Sequence, residues 1–229
     1  MIGIICAMKR EFDQIKFLMS DIVLEKRGIF NTAIGEIENT KCVVMECGVG
    51  KVNAAMGAEF MICSYNPDIV LNVGVAGSLD ENINIGDIVV ATDCIQHDFD
   101  ISAFSHRKKG EIPGINEVKI TCTPEIVLKL EQCAKDFDNI NFHSGIILTG
   151  DQFIESSEKS SRLKAELGGI ACEMEGASIA QVCFLNGVKF GITRAISDGA
   201  STVDFKSFVE SSSRNAAHLI RSFIKLLRD

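Results

Sequence analysis

The amino-acid sequence predicts an α/β layer sandwich that forms one domain of residues 1–229. Short runs of apolar and β-branched residues recur along the chain, and amphipathic patterns of helical period fall between several of them. Alternating strands and helices are typical of a sheet covered by helices. A protein with such a sheet binds its ligand beyond the carboxyl ends of the strands. The length of 229 residues suffices for one large core, and no repeat or linker divides it.

Seven apolar runs have the length and composition of strands. They cover residues 2–8, 42–47, 68–75, 87–95, 144–149, 169–174 and 188–196.

Two helices are marked by apolar residues at steps of three and four. The first covers residues 51–65, where Val52, Met56 and Phe60 form part of a stripe that ends before Asn66-Pro67. The second runs from Asp204 to the C-terminus.

Composition and charge argue against several classes of function. The formal net charge of −8 disfavours nucleic acid as a partner, because phosphate binding draws its affinity from Lys and Arg. No apolar run reaches membrane-spanning length, and the N-terminus lacks the basic leader of an export signal. The nine cysteines are odd in number and include no Cys-x-x-Cys pair, which predicts reduced thiols and a cytoplasmic protein.

Stretches that look like nucleotide-binding or metal-binding motifs lack required residues, so the sequence predicts neither a cofactor nor a metal ion. The stretch 45–52 lacks the first glycine and the Ser or Thr of a nucleotide triphosphate loop, and its glycines do not fit the dinucleotide pattern. His97 and Asp98 have no second His at the spacing of a metal site.

Acidic residues stand where predicted strands end. Glu11 follows the first run, Glu173 and Glu175 end the sixth, and Asp198 follows the last, which also contains Arg194. Carboxylates at the edge of an apolar sheet are costly unless paired, and an arginine within residues 192–196 is costly unless it meets acids. Together these residues predict a site able to protonate a leaving group and deliver water to a cationic sugar.

Five motifs, in order, cover nearly the whole chain. They are Gly3–Met8 followed by Glu11, Gly48–Ala55, Thr149–Ile154, Glu173–Glu175 and Arg194–Asp198. In these motifs the chain resembles the 5'-methylthioadenosine/S-adenosylhomocysteine nucleosidases. The resemblance implies a nucleoside phosphorylase-like fold, a three-layer α/β/α sandwich around a central mixed, twisted sheet.

The resemblance also implies catalytic roles. Asp198 would pass a proton to purine N7, with Ser197 orienting it. Glu11 would take a proton from the attacking water, and Arg194 would help to hold that water and the acids. Glu175 would bind the ribose hydroxyls, while Glu173 is expected to be structural.

A further set of residues is implied to contact an adenine nucleoside. Phe153 and Ile154 would contact adenine, and Met174 would lie against the sugar. The lining toward the sugar and the 5' substituent would come from Met8, Val49, Phe205 and Phe208. Val75 stands where the family often has Ser or Thr, so a hydroxyl near the sugar is expected to be missing.

The resemblance implies a homodimer as well. Phe104 and Pro113 match positions that reach the 5' pocket of the neighbouring subunit. Ser105-His106 replaces the family's common Gly-Tyr, which predicts an altered pocket shape.

Simpler interpretations stay open for single residues. Glu11 and Glu175 are also typical of acids at a helix N-terminus, and Asp198 of a helix cap. Met174, Phe205 and Phe208 fit an apolar core.

Alternative functions are also kept. A phosphate-dependent purine nucleoside phosphorylase would need cations around the attacking oxygen, for which only Arg194 and Lys51 are candidates. A non-catalytic nucleoside-binding protein would be expected to lack some of the acids. An aminodeoxyfutalosine nucleosidase would use the same pocket for a larger 5' group.

Overall fold

A ten-stranded mixed sheet runs through the part of the chain that the computed structural model describes, residues 1–135, 137, 140–199 and 202–228. Its strands are β1 (Ile2–Cys6), β2 (Ser20–Arg27), β3 (Phe30–Ile37), β4 (Thr40–Glu46), β5 (Ile69–Ser78), β6 (Ile88–Gln96), β7 (Ile120–Thr121), β8 (Phe142–Thr149), β9 (Gly169–Glu173) and β10 (Lys189–Asp198). The helices are α1 (Lys9–Lys16), α2 (Lys51–Tyr65), α3 (Pro124–Lys135), α4 (Ser157–Leu167), α5 (Gly176–Leu185) and α6 (Thr202–Leu226).

The centre of the sheet is parallel, with β4, β1, β5 and β10 side by side. At one edge β3 and β2 continue the sheet in antiparallel order. At the other side β6 pairs antiparallel with β10, and β8 and β9 follow in parallel order. Because β9 returns to pair with β5, the five strands β5, β10, β6, β8 and β9 form a closed ring.

Helices cover both faces of this sheet. All five residues of β1 and nine of the ten in β10 are buried, as expected of central strands packed on both sides. One group of helices pairs α2 with α5, and the other packs α1 and α3 against α6. The predicted three-layer sandwich with a central mixed sheet is therefore confirmed.

The sequence prediction of single elements holds best where the apolar pattern is strong. The helix at residues 51–65 and the long C-terminal helix are confirmed. The predicted first strand ends at Cys6 rather than at residue 8, because Met8 already precedes α1. Strands β2 and β3 were not predicted, since β2 is an exposed edge strand without a continuous buried face.

Two further observations concern the whole described chain. No helix among the described residues is both long and apolar enough to cross a membrane. All nine cysteines carry thiols, and only Cys63 is exposed.

Candidate active site

The four acids singled out from the sequence line one cavity. It has a volume of about 280 Å³ and lies where β1, β5, β9 and β10 end. Its lining consists of Ala7, Met8, Glu11, Val49, Val75, Ala76, Gly77, Gln152, Phe153, Ile154, Cys172, Glu173, Met174, Glu175, Ser197, Asp198 and Phe205. None of these described lining residues is a lysine or an arginine, so the cavity presents carboxyl groups and apolar surface.

Glu11 is held at the start of α1 by three backbone N–H groups. Its Oε2 accepts hydrogen bonds from the N–H of Ala7 at 3.0 Å and of Met8 at 2.9 Å, and its Oε1 accepts one from Val75 at 3.1 Å. The residue is 4% exposed, and burial raises the pKa of its carboxyl although these hydrogen bonds oppose the shift. Glu11 is thus both a helix-start acid and a carboxyl fixed at the cavity wall.

Glu173 and Arg194 form a buried ion pair beneath the cavity. The guanidinium donates to a Glu173 oxygen and to Asn72 Oδ1, and it reaches the Thr193 carbonyl at 2.9 Å. Glu173 also accepts hydrogen bonds from Thr149 Oγ1 and from the N–H of Gly176 at 2.7 Å. The prediction that a buried arginine must meet an acid is confirmed.

Glu175 precedes α5 and lies above this pair. Its Oε1 accepts a hydrogen bond from the N–H of Gly50 at 2.9 Å. Burial, together with the nearby charge of Glu173, raises the pKa of Glu175 to about 8 although Arg194 lowers it. At neutral pH this carboxyl is therefore mostly protonated, so its O–H can donate a hydrogen bond and its other oxygen can accept one.

The charge balance of the cluster explains this protonation. The carboxylates of Glu173, Glu175 and Glu11 together keep the pKa of Arg194 above its ordinary value, although burial opposes the shift. One guanidinium cannot neutralise three carboxylates in a buried space, and Glu173 is its direct partner. Protonating Glu175 removes one of the two uncompensated charges.

Asp198 is the last residue of β10 and is 2% exposed. Its Oδ2 accepts a hydrogen bond from Ser197 Oγ at 2.9 Å. The side chain lies so close to β5 that a Cβ on Gly77 would stand 2.9 Å from Oδ1, which explains the glycine there. Helix α6 begins at Thr202, so Asp198 does not stand at the N-cap position of that helix.

The positions of Glu11 and Asp198 along β5 separate the two carboxyls. A Cβ on Gly74 would stand 2.7 Å from Glu11 Oε1, so Glu11 contacts β5 at Gly74 and Asp198 contacts it at Gly77. Three residues along a strand correspond to a rise of about 10 Å. The two carboxyls therefore contact β5 at different points of the strand rather than side by side.

Apolar side chains close the remaining wall. The rings of Phe153 and Phe205 meet edge to face with centroids 5.7 Å apart. Met8, Val49, Val75, Ile154 and Met174 complete this surface. An aromatic and aliphatic wall facing carboxyl groups suits a flat heterocycle joined to a polar ring.

Four predicted residues lie outside the lining. Arg194 is 1% exposed and sits behind Glu173, so it supports the acids without reaching the cavity. Phe208, Phe104 and Pro113 are exposed on this chain, and Phe104 is 81% exposed.

Three residues at or beneath the cavity, Asn72, Gln152 and Cys172, were not predicted from the sequence. Asn72 is 1% exposed and donates to the Ile5 carbonyl at 3.0 Å while accepting from Arg194. A single amide within the apolar run 68–75 was the available signal, because such a group must find partners inside. Gln152 and Cys172 also line the cavity. Among the described residues no group of three His, Cys, Asp or Glu is arranged to hold a metal ion.

The raised pKa of Glu175 predicts a pH-dependent stability. Between its ordinary value of 4.5 and about 8 the folded protein binds this proton and the unfolded chain does not. The free energy of unfolding therefore falls by about 1.4 kcal/mol per pH unit across this window. We expect Glu175→Gln to leave stability unchanged below pH 4.5 and to raise it at pH 8, as measured by urea unfolding at several pH values.

The same replacement at exposed Glu158, in the first turn of α4, controls for the loss of one formal charge. If the free energy of unfolding depends on pH in the same way for the wild type and Glu175→Gln, the raised pKa of Glu175 is contradicted.

Comparison with known proteins gives a consistent result. The profile of the Phosphorylase superfamily matches residues 1–225. A 5'-methylthioadenosine/S-adenosylhomocysteine nucleosidase of Exiguobacterium sp. is 34% identical over 99% of this chain and 98% of its own length.

Two solved structures extend the comparison. The Neisseria meningitidis 5'-methylthioadenosine/S-adenosylhomocysteine nucleosidase in complex with methylthio-immucillin-A matches with a TM-score of 0.94 and 29% identity over 98% of both chains. A futalosine hydrolase of Helicobacter pylori matches with a TM-score of 0.92 and 33% identity over 98% of this chain and 97% of its own.

Proposed function

We propose that this chain, which belongs to the 5'-methylthioadenosine/S-adenosylhomocysteine nucleosidase family of the Phosphorylase superfamily, hydrolyses the N-glycosidic bond of these two nucleosides. Adenine and the 5-thioribose are the products, and 5'-deoxyadenosine is a further candidate substrate. Such a reaction serves methionine salvage and the recycling of S-adenosylmethionine by-products. The observation that carries the proposal is a cavity with four carboxyl groups and, among its described lining residues, no lysine or arginine.

The acid and the base are assigned by position. Asp198 gives a proton to purine N7 as the glycosidic bond stretches, and its hydrogen bond with Ser197 orients the carboxyl. Glu11 takes a proton from the attacking water, because three backbone N–H groups fix its carboxyl beside Gly74, away from the contact of Asp198 with Gly77. Proton transfers of this kind contribute about a hundredfold to ten-thousandfold each.

The sugar is assigned to Glu175 and Met174. A mostly protonated Glu175 donates to one ribose hydroxyl and accepts from another, and Met174 lies against the ring. These contacts favour a flattened, positively charged sugar if they tighten in the transition state. Phe153 and Ile154 hold adenine, while Met8, Val49, Val75 and Phe205 surround the sugar and the 5' group. Arg194 acts through Glu173, since its guanidinium lies behind that residue.

Phosphorolysis is disfavoured by the same geometry. Lys51 forms an ion pair with Asp98 and lies outside the cavity lining, and Arg194 is bound to Glu173. A phosphate near Glu11 would meet a carboxylate at short range without an opposing cation.

A phosphate-free assay tests the proposal directly. We expect purified protein to release adenine and free methylthioribose from methylthioadenosine at the same rate with and without phosphate. Chromatography of both products provides the measurement. Phosphate-dependent release of a sugar 1-phosphate would show a phosphorylase, and tight binding without release would show a binding protein.

Aminodeoxyfutalosine is the second candidate substrate. The match to the Helicobacter pylori futalosine hydrolase favours it, since the same acids would act on a larger 5' group. The ratio of kcat/KM for aminodeoxyfutalosine and methylthioadenosine, measured in the same assay, decides which is preferred.

We also propose a homodimer. Phe104 is 81% exposed, Pro113 is exposed, and Val52 on α2 is 77% exposed. We propose that a second subunit covers these apolar side chains, since exposed apolar patches mark protein–protein interfaces. We expect sedimentation velocity to give twice the chain mass of 24.9 kDa, and a persistent monomer would remove the role proposed for Phe104 and Pro113.

The remaining proposals concern domain and compartment. One buried apolar cluster includes residues from β1 through α6, which supports a single nucleosidase domain over 1–229. Nine cysteine thiols, eight of them buried, support a reducing cytoplasm.

A further inference from the structure

Lys51 is the first residue of α2 and contacts two other segments of the chain beside the cavity, although it does not line the cavity itself. Its ammonium donates to Asp98 Oδ1 at 2.6 Å and to Gln96 Oε1 at 3.1 Å. Its backbone N–H donates to Asp151 Oδ1 at 2.8 Å. One residue thus contacts the chain after β6 and the chain after β8.

Asp98 and Asp151 complete this arrangement, which we call the Lys51 cluster (Lys51, Gln96, Asp98 and Asp151). The second carboxylate oxygen of Asp98 accepts a hydrogen bond from the Asp151 N–H at 2.9 Å. Gly50, at the N-cap position of α2, has no side chain to cap the helix, so Asp151 accepts the N–H of the first helical residue from another loop. The cluster therefore fixes the start of α2 relative to residues 150–154.

The cluster adjoins both halves of the proposed nucleoside site. On one side, Gly50 directly precedes Lys51 and donates its N–H to Glu175, the residue assigned to the ribose hydroxyls. On the other side, Asp151 directly precedes Gln152, Phe153 and Ile154, which line the cavity where adenine is assigned. A shift of the Lys51 cluster would change the position of the sugar contact relative to the base contact.

The central ion pair is shielded from solvent. The side chains of Lys51 and Asp98 are 18% and 16% exposed. Burial alone would raise the pKa of Asp98, but hydrogen bonds from Lys51 and from the Asp151 N–H hold it below its usual value. The Asp98 carboxyl is therefore ionised at neutral pH, and removing Lys51 leaves this shielded carboxylate without its direct partner.

We propose that Lys51, through Asp98 and Asp151, is a positioning residue that sets the ribose contact of Glu175 in register with the adenine contact of Phe153 and Ile154. This inference rests on the proposed nucleosidase function. An error of about 1 Å in such a register costs on the order of a hundredfold in rate, because the acid no longer meets its proton acceptor.

The test compares Lys51→Met with Lys51→Arg and with a matched control. Lys164→Met removes another lysine–aspartate pair, with Asp80 at 2.8 Å, in a helix whose residues do not line the cavity. For each purified protein we would measure kcat and KM for methylthioadenosine, the Kd for adenine, the melting temperature, and amide hydrogen exchange of residues 48–52 and 150–154.

Lys51→Met is expected to lower kcat about tenfold to a hundredfold, to weaken adenine binding and to speed exchange in both segments. Lys51→Arg restores most of kcat because it keeps the charge. Lys164→Met changes kcat and the adenine Kd less than about twofold even if it melts lower, as surface pairs contribute about 0 to 1 kcal/mol to stability. The double variant Lys51→Met/Asp98→Asn loses little more than the worse single variant, because both act through one pair.

A folded Lys51→Met protein with wild-type kcat and adenine affinity overturns the proposal. If Lys51→Met does not fold, Asp98→Asn decides by the same criteria. A wild-type protein that releases no adenine would instead refute the nucleosidase function, and the exchange rates of the two segments would still test the role of Lys51.

Discussion

Asp198→Asn lowers kcat for methylthioadenosine by about a hundredfold to ten-thousandfold, because an amide cannot supply the proton that purine N7 receives as the bond breaks. The substitution is nearly isosteric, and the amide oxygen still accepts the hydrogen bond from Ser197. We therefore expect the melting temperature and the adenine Kd to change little. The comparison of kcat with these two quantities separates lost chemistry from lost structure.

A substrate with an alkyl group already on N7 sharpens this test. Its purine is cationic before it binds, so the enzyme has no proton to deliver. We expect Asp198→Asn and the wild type to cleave it at similar rates. A large loss with this substrate would assign Asp198 to some other step.

Glu11→Gln lowers kcat by a comparable factor of about a hundredfold to ten-thousandfold, because an amide cannot take the proton of the attacking water. The N7-alkylated substrate does not rescue this variant, since water must still be activated. Opposite responses of the two variants to one substrate distinguish base from acid. Equal rescue of both would contradict the assignment of Glu11.

The pH dependence of the wild type adds a second criterion for Glu11. A base acts only when ionised, and burial raises the pKa of this carboxyl. The value of kcat/KM should therefore fall on the acid side at a pH above that of an ordinary glutamate. Glutamine also places an NH₂ group near the backbone N–H groups that donate hydrogen bonds to the wild-type carboxylate, which can lower stability. The melting temperature of Glu11→Gln must therefore be measured as well.

The sequence predicted the acids that line the cavity because charged groups rarely interrupt apolar strands without a partner or a function. Glu11, Asp198 and Arg194 each stand within or just after a buried strand, where only a partner or a function offsets the cost. The same rule did not reveal which acid pairs directly with Arg194, which in the structure is Glu173. Which of several neighbouring acids meets a buried cation depends on strand register, and sequence spacing does not give the register.

The secondary-structure elements likewise divide into those that the sequence predicts and those that it does not. Helix α2 was predicted with its bounds at 51 and 65, because its stripe ends at a clear Asn-Pro stop. The hairpin of β2 and β3 was missed because an exposed edge strand needs no apolar alternation. The closed ring of strands was beyond sequence reasoning, since it depends on the pairing of β9 with β5 over only two residues.

The ring also has a consequence for how the chain reaches its native state. Strand β10, the last in the sequence, lies between β5 and β6. Until residues 189–198 have left the ribosome, residues 69–76 of β5 and 88–90 of β6 lack β10 as their native partner, and such edges invite association with other chains. Because β10 carries Arg194 and Asp198, completing the sheet and completing the proposed catalytic group are one late event in biosynthesis.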